Sequence, residues 1–146
     1  MDATILTEEQ MRELEGVGFD ISDAKVYKRV ETADDICREV SFNSYSITDI
    51  LRKLPRTIQP FLNVKVCIAN GNNADSWKLH ICPFTDKYWS VSYIMDDYNP
   101  CHKDCHRDDY FHSTIGITLL EALFNMLKWL KEDETRDDRV KYFKKS

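Results

Sequence analysis

Two cysteines and three histidines fall within the fourteen residues NPCHKDCHRDDYFH, positions 99–112. Zinc selects such soft and borderline donors and holds them tetrahedrally, most often on a Cys-x2-4-Cys pair followed by two further ligands. Three residues separate Cys101 from Cys105, and His106 and His112 complete a Cys2His2 set, with His102 as a substitute. The histidines come directly after the second cysteine with no helix between, so one short segment would have to fold around the ion by itself. The competing reading is a polar excursion between a sheet and the C-terminal helix. It is preferred, because short spacing matches often arise by chance. Zinc on Cys101, Cys105, His106 and His112 is kept as the alternative, and no other cofactor is expected. CHKDCH also approaches the covalent haem pattern, with one residue too many between the cysteines. No strongly basic neighbour is present to activate either thiol.

A second constellation lies on alternating positions of a strand. In WKLHICPF, Trp77, Leu79 and Ile81 share one face, so His80 and Cys82 point to the other. Cys67 has the same parity on the preceding apolar run. It lies opposite His80 if Val66 pairs with Ile81, and opposite Lys78 if Val66 pairs with Leu79. A Cys–His pair is the minimum for an activated thiol, but a nucleophile also needs an orienting group and an oxyanion site. Ser90 and Ser92 do not supply one, and a half-exposed outer face of small and polar residues is the favoured reading. No glycine-rich phosphate loop, Gly-x-Ser-x-Gly elbow or His-Glu-x-x-His helix occurs in the chain. The alternating Trp77, Trp89 and Tyr93 have the spacing of a base-stacking platform, yet they share parity with Leu79, Ile81 and Val91 and read as core.

The elements that would position these residues follow from capping and periodicity. LTEEQM opens a helix, with Thr7 and Gln10 as a capping box and Leu6 and Met11 as a hydrophobic staple. Gly16 and Gly18 stop it. FDISDAKVYKRV, with Ser22 as a cap, is expected to add one or two short helical turns, and ADDICREV another. SITDILRKLP places Ile47, Ile50, Leu51 and Leu54 on one helical face behind Ser46, and Pro55 ends it. From Phe61 the period changes to two. Strands are expected over LNVKVCIA, WKLHICPF and the run from Trp89 to Met95, with NGNNADS and Thr85–Lys87 as turns and DYFH as a brief fourth strand. TLLEALFNMLKWLKED is the strongest helix. Thr118 and Glu121 form a second capping box, and Leu120, Leu123, Leu127 and Leu130 lie beside a stripe of Leu119, Ala122, Met126 and Trp129.

The chain of 146 residues has the length of one domain, and 42% hydrophobic residues suffice for a core. Its net charge of −5 argues against a phosphate-tracking surface, so nucleic acid is not the expected partner. Charge is unevenly spread. Residues 96–109 carry five aspartates against Lys103 and Arg107, whereas the tail RVKYFKKS is basic. MDATILTEEQ lacks the features of a secretory leader, and no apolar run is long enough for a membrane span. A cytoplasmic protein with free thiols is the expectation, since an odd five cysteines do not make a disulfide framework.

The order LTEEQMRELEGVGFDISDAKVY, YSITDILRKLP, a strand meander and TLLEALFNMLKWLKED resembles a set of small, functionally uncharacterised proteins encoded by Bacteroidetes phages and mobile elements. The resemblance spans nearly the whole chain. Tyr45 stands where that pattern has tryptophan and Leu119 where it has proline, and the Cys/His loop lies outside it. It implies a fold and a mobile-element context, and no chemistry.

The reading is an α+β fold, a three- or four-stranded antiparallel β-meander with helices packed on one face. A single domain would span 1–132, with 1–55 mainly helical, the meander over 61–95 and a C-terminal helix over 118–132; residues 133–146 would be a polar, flexible tail. The expected function is that of a non-enzymatic accessory protein that binds another protein. A further alternative is the acidic loop as a mimic of DNA, whose partner binding would weaken with salt.

Overall fold

The structure, a computed structural model, describes residues 4–58, 77–95, 110–136 and 142–143. Helix α1 (Glu8–Gly16) begins at the expected capping box. The Thr7 hydroxyl accepts from the Gln10 backbone N–H at 3.1 Å, and the Gln10 side chain accepts from the Thr7 N–H at 2.9 Å. Leu6 and Met11 are both buried, as a staple requires. Helix α2 (Ile47–Lys53) starts from a Ser46–Asp49 box, and its last turn precedes Pro55.

Between these helices the structure departs from the sequence reading. Residues 25–44 form no helical turns. They make a long antiparallel ribbon of β1 (Lys25–Ala33) and β2 (Ile36–Ser44), paired from Lys25↔Ser44 to Ala33↔Ile36. Asp34 and Asp35 form its tip, both with positive φ (52° and 63°). That is the backbone of a two-residue I′ turn, whose twist matches the strands it joins. Residues 1–55 are therefore not mainly helical.

The second sheet has the order β3-β4-β5-β6, all antiparallel, from β3 (Thr57–Ile58), β4 (Trp77–Pro83), β5 (Trp89–Met95) and β6 (Tyr110–Gly116). The antiparallel α+β class thus holds. The fourth strand expected at DYFH is β6, carried on to Gly116. An addition to the sequence reading is β3 itself: Thr57 pairs with Lys78 and Ile58 with Trp77, and the Leu79 N–H donates to the Arg56 carbonyl at 2.8 Å. The run at 62–68 and the NGNNADS turn lie outside the described residues.

Helix α3 (Leu119–Arg136) buries Leu120, Leu123, Met126, Leu127 and Leu130 against the sheet. Its start makes half of the expected box, the Glu121 N–H donating to the Thr118 hydroxyl at 3.1 Å. The core joins Leu6, Met11 and Leu14 to Tyr45, Ile50 and Leu54, and to Val91, Tyr93 and α3. Gly116 lets α3 meet β6 closely, because a Cβ there would stand 2.4 Å from the Ala122 nitrogen.

The flexible tail is corrected at both its ends. The helix runs to Arg136 rather than stopping at 132, and Tyr142 and Phe143 return to it. The Tyr142 hydroxyl donates to Asp133, while the backbone N–H groups of Tyr142 and Phe143 donate to Glu134 at 2.6 and 2.9 Å. Tyr142 is buried, and Phe143 packs edge-on against Phe19 at 5.3 Å.

Candidate functional site

Of the proposed zinc ligands, Cys101, Cys105 and His106 lie outside the described residues, as does the substitute His102. His112 is described. It pairs with Tyr93 across β5 and β6, which turns it to the helix-facing side of the sheet. There its ring stacks on Trp129 at 3.6 Å, nearly parallel. Burial holds its pKa below the ordinary value, and the Asp133 carboxylate opposes that shift. Among the described residues no group of three or more His, Cys, Asp or Glu side chains clusters as metal ligands do.

The second constellation is on the opposite face. His80 pairs with Ser92 and Cys82 with Ser90, while the edge of β4 away from β5 is taken by residues 56–58. Val66 and Cys67, on whose register the Cys67–His80 pairing depends, lie outside the described residues. This face is less exposed than the sequence suggested, since Ser90, Ser92 and Ile94 are all buried. The hydroxyls of Ser90 and Ser113 bond each other at 3.3 Å. Among the described residues Cys82 stands opposite Ser90 on a face lined by hydroxyls, with His80 two residues along the strand on the same face.

Trp77, Trp89 and Tyr93 all belong to the core cluster or pack against it, and Tyr93 donates its hydroxyl to the Pro55 carbonyl at 2.7 Å. The stacking-platform reading fails on that burial. Thr114 knits the same layer, its hydroxyl bonding the Ala122 carbonyl at 2.9 Å.

The feature the sequence reading missed is the β1–β2 ribbon. Alternation divides its side chains between two faces. Tyr27, Arg29, Val40 and Phe42 lie on one, where Tyr27 and Phe42 face each other at 6.1 Å and the Arg29 guanidinium sits over Phe42 at 5.2 Å. Arg29 also pairs with Glu8 of α1 and with Glu31. The other face carries Val26, Lys28 and Val30 opposite Asn43, Ser41 and Glu39. Val26 and Val30 are 66% and 68% exposed, and Ile36 near the tip is 67% exposed.

A two-stranded ribbon is marginal by itself and needs a base. Here the base is strong. The buried Ser44 hydroxyl donates to the Leu6 carbonyl at 2.6 Å, the Leu6 N–H donates to the Tyr45 carbonyl, and Lys25 pairs with Asp49 at 3.3 Å. Tyr45, buried directly after β2, donates its hydroxyl to Asp23 at 2.6 Å. Burial and that carboxylate push the Tyr45 pKa well above its ordinary value, so the hydroxyl stays a donor. The ribbon's bonds to the Leu6 backbone come from Ser44 and Tyr45 at the end of β2, while Lys25 and Arg29 tie β1 to α2 and α1 through side chains. Among the described residues, nothing pairs with the outer edge of β1.

The charges along the ribbon are largely matched within the molecule: Lys25 to Asp49, Lys28 to Glu39, Arg29 to Glu8 and Glu31. Among the described residues, the ribbon is left with a β1 edge that has no strand partner, beside two exposed valines. No known protein family matches the chain, and neither does any curated protein or solved structure.

Proposed function

We propose that this chain is a non-enzymatic accessory protein that binds another protein, and that the β1–β2 ribbon is the arm that does so. The observation that carries this reading is the open edge of β1 with Val26 and Val30 exposed beside it. An open strand edge presents backbone donors and acceptors that an extended segment can pair with, and the alternate side chains then set specificity. The occupant is accordingly an extended strand of the partner with apolar residues at alternate positions. Val26 and Val30 point the same way about 13 Å apart, the reach of four strand residues. A cytoplasmic setting and a phage or mobile-element context belong to the same proposal, supported by the order of motifs along the chain.

The test is site-specific photocrosslinking from position 28, which lies between the two valines on the same face, in lysate of the host, with the crosslinked peptide identified by mass spectrometry. An extended, apolar-alternating segment captured at position 28, and lost when Val26→Lys and Val30→Lys are combined, supports the reading. Crosslinks unaffected by the double variant overturn it. So does a crosslink to a second copy of this chain, which would make the ribbon a self-pairing edge. The zinc alternative at Cys101, Cys105, His106 and His112 is separated by the metal-to-protein ratio after purification without chelator: stoichiometric zinc, absent from Cys105→Ser, would favour it.

A further inference from the structure

The chain folds a cleft of about 1040 Å³ between the loop after α1, the end of α2, the end of α3 and the returning Tyr142–Phe143 segment, and neither exposed valine of the ribbon lines it. Its wall is aromatic, from Phe19, Tyr142 and Phe143. Four cationic side chains, Arg52, Lys53, Arg56 and Lys131, line it against the three carboxylates of Asp20, Asp23 and Glu134. In an acidic protein that local excess is notable only if the cations are free, and the pairing shows which are.

Lys53 is committed. Its ammonium bonds Asp23 at 2.5 Å and lies 4.7 Å from the Tyr45 ring centre. Lys131 is committed to Glu134 at 3.5 Å and lies 5.8 Å from the ring centres of both Phe19 and Phe143. Glu134 in turn holds the Tyr142 and Phe143 N–H groups, and Asp23 holds the Tyr45 hydroxyl. These groups build the wall and fix its rings. Arg52 and Arg56 remain. Among the described residues neither guanidinium has an ion pair, and both are exposed at the cleft. Asp20 makes no ion pair among the described residues, although the Lys53 charge acts on it, and it accepts from the Ser22 N–H at 3.0 Å.

We propose that this cleft binds a small organic anion with a flat apolar body: two guanidiniums for a phosphate or carboxylate, and an aromatic wall for a ring. A planar guanidinium donates two parallel hydrogen bonds to either anion, so phosphate and carboxylate share the chemistry. Seven of the fourteen lining residues are charged, more than in the usual mostly apolar small-molecule site, which suits a charged ligand, and the volume lies at the upper end of such sites. Asp20 adds an acceptor for an amino or hydroxyl group of the ligand.

The experiment is an amide-resolved NMR titration of the full chain with adenosine 5′-monophosphate, indole-3-acetate, adenosine and inorganic phosphate. Saturable shifts at Phe19, Arg52, Arg56 and Phe143 are expected with the first or the second; which of them binds more tightly distinguishes phosphate from carboxylate. Arg52→Gln combined with Arg56→Gln, both at exposed positions, should weaken that binding at least tenfold while amides away from the cleft keep their positions. Adenosine binding as tightly as its phosphate would overturn the anion recognition, and inorganic phosphate binding as tightly would overturn the role of the rings. Affinity unchanged in the double variant, or no saturable shift with either aromatic anion, overturns the proposal as a whole.

Discussion

The imidazole of His112 lies on the buried, helix-facing side of β6, flat against Trp129. Burial lowers its pKa from 6.5 and Asp133 pulls the other way, the burial prevailing. For a base with a depressed folded pKa, acid protonates the unfolded chain first. The stability it contributes is therefore fully present above about pH 6.5 and is lost as the pH falls from there through the folded pKa. The urea midpoint of the wild-type chain should drop between about pH 7.5 and pH 5.5, a window above the range of ordinary carboxylates. His112→Phe keeps a ring on Trp129 and removes the titration, so its midpoint should vary less over that window; equal slopes would assign the effect to another group. Gly116 is constrained differently. A methyl group there meets the Ala122 nitrogen at 2.4 Å and the Glu121 Cβ at 2.9 Å, neither of them a flexible side-chain end. Gly116→Ala should destabilise the protein by about 2 kcal/mol through overpacking. A loss under about 0.5 kcal/mol in urea unfolding would mean that the turn between β6 and α3 yields.

At the scale of elements, the ribbon tests what local sequence can specify. Asp34 and Asp35 both adopt φ near +60°, a region an L-residue enters at about 1 kcal/mol, somewhat less for Asp. Replacing the pair by Asn-Gly should tighten the tip by several tenths of a kcal/mol, seen as slower hydrogen exchange at Thr32–Cys37 with the exchange of α3 unchanged. Exchange that quickened instead would show that the aspartate side chains hold the turn. The same pair explains why the ribbon escaped the sequence reading. Turn chemistry at Asp-Asp is weaker than at Asn-Gly or Asp-Gly, and a ribbon that packs on little has no buried face to print an apolar alternation. One face of Lys25–Ser44 mixes aromatic, aliphatic and charged residues and the other valine with charged and small polar ones, so neither face is cleanly apolar. By contrast α1, α2, β4, β5 and α3 were legible because each carries a cap or an apolar face that the core then uses. The candidate site was less legible. Cys and His spacing drew the eye to 99–112, whereas exposed valines on an open edge and unpaired arginines at a cleft have no motif and exist only once distant segments meet.

At the scale of the whole molecule, the chain closes on itself through its last aromatic residues. Tyr142 and Phe143 sit in a stretch that reads as a basic, polar tail, yet Tyr142 is buried beside Phe111 and Trp129 and Phe143 is set against Phe19. Polar composition averaged over the tail hid two rings, and no capping or period signal marks a pair of residues that folds back on a helix. The contact joins the last described residues and the end of α3 to the loop after α1. Burying an aromatic ring contributes about 1.5–3 kcal/mol, reduced by the entropy of ordering the segment. Deleting residues 137–146 should therefore lower the unfolding free energy by about 2 kcal/mol, where loss of a merely solvated tail would leave it unchanged. Tyr142→Ala with Phe143→Ala in the full chain should reproduce most of that loss in urea unfolding. If the deletion destabilises and the double alanine variant does not, the basic residues around the rings carry the effect, and raising the salt concentration would then erase the difference between deletion and wild type.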